Sequence, residues 1–174
     1  MRGFFGSGMP QVVLILLPPA LILSTTMARQ KTELLVIHCT ATPEGREVTA
    51  DEIRRWHTAP LSEGGRGWKQ VGYTDMIHLD GTIERLAANN DDEWVDPWEI
   101  TNGVKGYNSR ALHIVYVGGL DKEGKPKDTR TAAQKAALRT YVEVVRLRCP
   151  EIRVVGHNEL AAKACPCFDV AELR

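Results

Sequence analysis

The segment Gly156-His157-Asn158-Glu159-Leu160-Ala161-Ala162-Lys163-Ala164-Cys165-Pro166, close to the C-terminal end, gathers an imidazole, an amine and a thiol in one short stretch. Far upstream, the apolar run Leu34-Leu35-Val36-Ile37 ends on a second imidazole, His38, followed by Cys39-Thr40-Ala41-Thr42. Two neutral imidazoles and one thiolate, from His38, His157 and Cys165, make a three-ligand zinc set that leaves a fourth position for water or substrate. That is the pattern of a catalytic metal rather than a structural one. One negative sulfur against a divalent cation leaves a net positive centre, able to polarise an amide carbonyl and to bring the pKa of water down to about 7. No H-E-x-x-H helix occurs, so the site is not of the thermolysin type.

The elements that must position these groups alternate along the chain. Leu34 to His38 is a continuous apolar run, short enough for a buried strand. Thr49 with Glu52 reads as a capping box that opens a helix through about Trp56. Tyr73 to Leu79 and Thr82 to Leu86 flank Asp80-Gly81, a hairpin turn signal. Leu112 to Val117 is a β-branched run stopped by Gly118-Gly119. Thr131 with Gln134 is a second capping box, and the helix behind it sets Leu138, Tyr141, Val142 and Val145 on one face. Ile152 to Val155 is a last short strand that delivers His157 just past its end. Ala87 to Asn108, rich in Asn, Asp, Trp and Gly, reads as a long surface loop. Strands interleaved with two helices predict an α/β fold, a single domain with a central mixed β-sheet flanked by helices.

Six segments then recur in one order: Val36-Ile37-His38-Cys39-Thr40-Ala41-Thr42, Val71-Gly72-Tyr73, Asp80-Gly81-Thr82-Ile83-Glu84, Lys105-Gly106-Tyr107-Asn108, Val117-Gly118-Gly119-Leu120-Asp121 and Lys163-Ala164-Cys165-Pro166. Together they resemble the phage-lysozyme-type N-acetylmuramoyl-L-alanine amidases, relatives of the peptidoglycan recognition proteins. The likeness runs from about Glu33 to Val170. It implies an amidase-like mixed sheet, one zinc ion, and hydrolysis of the amide between the muramyl lactyl group and L-alanine of peptidoglycan. Carried over by position, His38, His157 and Cys165 match the zinc ligands, and Tyr73 and Lys163 match residues that assist catalysis. The chemistry agrees with that assignment. Amide hydrolysis needs an oxyanion stabiliser and a proton for the departing amine. A cation at Lys163 suits the first task, and a phenol at Tyr73 can donate a hydrogen bond or relay a proton.

Each residue also has a plainer reading. His38 alone is most simply a core histidine, Lys163 a solvated surface lysine, and Tyr73 a strand aromatic. Cys39 follows His38 on a strand, so its side chain points to the opposite face and into the core. His57, His78 and His113 are placed on a helix and two strands without chemical duty. Glu159 is an alternative base. Of the four tryptophans, Trp94 and Trp98 in the long loop are the better candidates for lining a glycan or peptide groove, and Asn108 can offer its amide to the stem peptide. A non-catalytic peptidoglycan receptor is the alternative function, and a thiol redox protein built on Cys165-Pro166-Cys167 a third.

Composition sets the outer bounds. The 174 residues suffice for one domain with a substantial core. Lys+Arg and Asp+Glu are both 22, so no long-range field draws the chain to nucleic acid or an acidic membrane, and binding must come from a site. Cys39, Cys149, Cys165 and Cys167 are too few for a disulfide scaffold, though one pair can form if the protein is exported. Arg2, the apolar run Val12 to Leu23 and Thr26-Met27-Ala28 read either as a signal peptide or as sequence upstream of a true start at Met27. Residues 1–28 are therefore set apart as an N-terminal extension and 29–174 as the zinc amidase domain. With a signal peptide the protein is secreted or periplasmic; otherwise it stays cytoplasmic until released. The run is too short to span a bilayer. The expected form is a monomer acting on peptidoglycan.

Overall fold

The computed structural model describes residues 28–174; the reading of a signal peptide or an upstream start lies, apart from Ala28, outside the described residues. In chain order the strands are β1 (Gln30–Lys31), β2 (Leu34–Cys39), β3 (Thr42–Pro43), β4 (Asp75–Ile77), β5 (Ile83–Arg85), β6 (Trp94–Val95), β7 (Ala111–Tyr116), β8 (Gly119–Leu120) and β9 (Arg153–Gly156). The helices are α1 (Ala50–Thr58) and α2 (Ala132–Arg148). Five strands form the central sheet in the order β5-β4-β7-β2-β9. The pairs β4–β7, β7–β2 and β2–β9 are parallel and β4–β5 is antiparallel, so the sheet is mixed as expected.

A central parallel strand covered on both faces should read as an unbroken apolar run, and β2 does: all six of its residues are buried. Alternation still sorts its side chains. Leu35, Ile37 and Cys39 join Leu112, Ile114 and Tyr116 against Leu138, Tyr141, Val142 and Val145 of α2. Leu34 and Val36 face the other side with Val104, Ala111 and Val155. Beside them, Ile53 of α1 packs with Val71, Met76, Val115 and Val117. His38 shares the parity of Leu34 and Val36 and ends the strand on this second face.

Both capping boxes form. The Thr49 hydroxyl accepts from the Glu52 N–H while the Glu52 carboxylate accepts from the Thr49 N–H, and Thr131 and Gln134 repeat the exchange. Gln134 has a second use. Fully buried, its side-chain amide donates to the carbonyls of Ile77 (3.3 Å) and Val117 (2.9 Å), tying α2 to the ends of β4 and β7. The Asp80-Gly81 turn closes the β4–β5 hairpin, with Gly81 at φ +87°, a conformation that favours glycine.

The segment Ala87 to Asn108 departs from the surface-loop expectation. Val95, Glu99, Thr101 and Val104 within it are buried, and β6 pairs with β1. The buried Glu99 carboxylate accepts from the N–H groups of Asn90 (2.6 Å) and Asp96 (2.9 Å), satisfying backbone donors that a strand would otherwise pair. Polar composition concealed a folded segment whose acceptor is a side chain.

Candidate active site

Three ligand-bearing side chains converge at the C-terminal ends of β2 and β9. His38 is the penultimate residue of β2, His157 follows the last residue of β9, and Cys165 lies in the turn beyond it. One ligand atom from each lies within 4.8 Å of the others. The imidazoles of His38 and His157 meet edge to face with ring centroids 4.7 Å apart, and the Cys165 Sγ lies 3.8 Å from the His38 Nδ1. Backbone bonds hold this turn in place. The Asn158 N–H donates to the Cys165 carbonyl (2.7 Å), the Lys163 N–H to the Ala161 carbonyl (2.8 Å), and the Tyr116 hydroxyl to the Pro166 carbonyl (2.7 Å).

The electrostatics favour ligand states. Burial, reinforced by the neighbouring imidazoles of His113, His157 and His57, holds the His38 pKa well below the usual histidine range. Burial, then the Lys163 ammonium, lowers that of His157. Cys165 is lowered by the Cys39 side chain first and, against burial, by the Cys39 backbone N–H and by Lys163. Two uncharged imidazoles and an acidified thiol form a nitrogen–nitrogen–sulfur donor set suited to a borderline-soft divalent cation.

Tyr73 and Lys163 stand at the same place. The Tyr73 ring is 5.0 Å from that of His38, and burial raises its hydroxyl pKa above the ordinary value, so the proton stays on Oη at neutral pH. Tyr73, Lys163 and His157 line one cavity of about 150 Å³ together with His57, Arg66, Trp68, Gly72, Asn102 and Gly103. Tyr73 also borders a neighbouring cavity of about 320 Å³ lined by Thr40, Ile53, Trp56, His57, Gly64 and Arg66. The shared wall is a row of rings: Trp68 stacks on His57 at 4.9 Å, and His57 meets Tyr73 edge-on at 5.2 Å. The Arg66 guanidinium lies over Trp68 at 5.1 Å.

Other sequence candidates lie elsewhere. Trp94 and Trp98 line neither cavity; Trp94 sits in β6 under the Arg29 guanidinium, and Trp98 is half exposed. The Asn108 side-chain carbonyl accepts from the Val104 N–H (2.7 Å) and braces its own loop. Glu159 is engaged by the Gly156 N–H and by Arg174 and touches neither cavity. Cys39 is in the core, as expected, with its Sγ 3.7 Å from that of Cys167; all four cysteines are free thiols. His113 lies on a strand, as expected, and its Nδ1 is 3.1 Å from the His38 Nε2. Trp68, one of the four tryptophans weighed for a groove, lines the wall in place of Trp94 and Trp98, and His57 and Arg66 are wall residues that the sequence reading leaves aside. The signal for them was present in Trp56-His57 and Gly67-Trp68, which lie between the first motif and Tyr73.

Comparison with known proteins gives this arrangement a family. A family model described as N-acetylmuramoyl-L-alanine amidase matches residues 28–168. The endolysin of Klebsiella phage KP32 is 37% identical over 142 residues, covering 82% of this chain and 85% of its own. The endolysin of Escherichia phage T7 is 34% identical with the same coverage. Among solved structures, the amidase LysC from Clostridium intestinale URNW superposes with a TM-score of 0.64 at 20% identity, covering 85% of this chain and 88% of LysC, a likeness of fold. The chain belongs to the N-acetylmuramoyl-L-alanine amidase family, and it is an amidohydrolase acting on peptidoglycan.

Proposed function

We propose that this amidase cuts the bond between the muramyl lactyl carbonyl and L-alanine with one zinc ion held by His38, His157 and Cys165, and with Tyr73 and Lys163 acting on the substrate. The observation that carries the reading is the convergence of the three donor atoms within 4.8 Å. The donor spacing fits the ion. Zinc–nitrogen and zinc–sulfur bonds of about 2.0 and 2.3 Å at a tetrahedral angle put nitrogen and sulfur about 3.5 Å apart, close to the 3.8 Å between the His38 Nδ1 and the Cys165 Sγ. When bound, zinc supplies a Lewis acid for the scissile carbonyl and a means of activating water at neutral pH.

The chain's own groups do the rest. Lys163 is exposed and lines the cavity that His157 also lines, which supports a role for its ammonium in offsetting negative charge on the lactyl carbonyl oxygen. The Tyr73 Oη keeps its proton and can donate to that oxygen or pass the proton towards the departing alanine nitrogen. Trp68, His57 and Trp56 offer an apolar wall for sugar and lactyl carbons, and Arg66 a cation for a stem-peptide carboxylate. Residues 29–174 are assigned to the amidase domain, a start that falls one residue after the beginning of the family match at residue 28.

Digestion of purified sacculi, with products identified by mass spectrometry, tests the reading. Free stem peptides beginning at L-alanine are expected, lost on chelation and restored by zinc. Cut glycan strands with intact lactyl amides, or undiminished release after complete removal of metal, would overturn it.

A further inference from the structure

The contact between His38 and His113 has no part in the reaction described above. Both side chains are buried, at 1% and 0% exposure, and the His38 Nε2 lies 3.1 Å from the His113 Nδ1. The parallel register of β2 and β7 sets Val36 opposite His113 and His38 opposite Val115, so the two imidazoles meet on the diagonal. A Cβ at Gly103 would run into the His113 ring, so glycine there leaves the ring its room. The outer nitrogen of His113, Nε2, is buried with no hydrogen-bond partner. A buried polar atom without a partner is costly and calls for an explanation.

Resting on the zinc site proposed above, we propose that His113 is a positioning residue that fixes the tautomer and orientation of His38. The His38 Nδ1 faces Cys165, so that nitrogen must offer its lone pair and the ring proton must sit on Nε2. From Nε2 the proton is donated to the Nδ1 of His113, which therefore carries its own proton on the partnerless Nε2. The reverse arrangement, with His113 donating, would move the His38 proton to Nδ1 and block the metal-facing nitrogen. A metal-bound histidine commonly donates its other N–H to a carboxylate, a backbone carbonyl or water. Here the acceptor is a neutral imidazole, which orients the ligand without adding negative charge beside a centre that already has one thiolate.

The experiment measures zinc affinity by chelator competition, and the visible spectrum after cobalt substitution, for the full chain and its His113→Leu and His113→Asn variants. Asn can present an acceptor oxygen where Nδ1 stood; Leu cannot. His113→Leu should bind zinc about 10–100-fold more weakly with an altered cobalt spectrum, and His113→Asn should stay within about threefold of the parent. Should His113→Leu fail to fold, nitrogen-15 NMR of the zinc-loaded parent decides. A proton on the His113 Nε2, and a nitrogen–nitrogen coupling across the bond to the His38 Nε2, are expected. Parental zinc affinity in His113→Leu, an equal loss in His113→Asn, or a proton on the His113 Nδ1 would overturn the proposal while leaving the zinc site intact. A parent chain that binds no zinc would overturn both.

Discussion

The backbone N–H of Cys39 points at the sulfur of Cys165 from 3.2 Å, across a separation of 126 positions. Alternation sends the Cys39 side chain into the α2 face of the sheet and the His38 side chain to the other, so the peptide between them is free to turn its donor towards the sulfur. A donor aimed at a sulfur favours the thiolate, and the Cys165 pKa is lowered by the Cys39 side chain first and then, against burial, by this N–H. Cys165→Ser replaces that thiolate with a harder, far less acidic hydroxyl. The expected outcome is a folded protein by circular dichroism whose zinc affinity falls more than about 100-fold and whose turnover falls with it. A fully active, zinc-replete serine variant would show that the ligand assignment is wrong.

Lys163 and Tyr73 line the cavity without belonging to the donor triad. Their loss should therefore separate rate from metal content. Lys163→Ala and Tyr73→Phe are each expected to lower kcat about 10²–10³-fold, with one zinc per chain retained. Steady-state kinetics on a soluble muramyl peptide, run beside metal analysis, checks this. A parallel loss of zinc and rate would assign the two residues to the metal site instead.

Gln134 joins the cap of α2 to the ends of two strands through its single buried amide. Leucine there fills similar space but leaves the carbonyls of Ile77 and Val117 and the Thr131 N–H without their side-chain partner. Gln134→Leu should cost about 2–4 kcal/mol, read as a lower urea midpoint with an unchanged slope. A midpoint equal to the parent's would mean that water satisfies these groups.

His57 is buried in the cavity wall and accepts the Gly72 N–H at its Nδ1 (3.1 Å). Burial, then the Arg66 charge, depresses its pKa to about 4 from an ordinary value of 6.5. Between those values the unfolded chain binds a proton that the folded chain excludes, so this stability is complete above about pH 6.5 and drains away as pH falls towards 4. Denaturation of the metal-free protein should show a gap between parent and His57→Gln that narrows across that window. A gap constant from pH 7.5 to 4.5 would contradict the shift.

Interactions that close within a few residues could be read directly from the chain. Thr49 with Glu52 and Thr131 with Gln134 mark helix starts because the hydrogen bonds that form the caps span three positions. Asp80-Gly81 marks the hairpin because the turn needs a positive φ that glycine supplies freely. His38, His157 and Cys165 stand out in the sequence because few residue types offer metal donors and two of them lie at or just past the end of an apolar run. Strand register, by contrast, is settled between segments far apart in sequence. The β2–β7 register brings His113 against His38, and the packing of the segment between α1 and β4 puts Trp68 and Arg66, rather than Trp94 and Trp98, beside Tyr73. Non-local pairing fixes which side chains share a face, and so which neighbours surround His38.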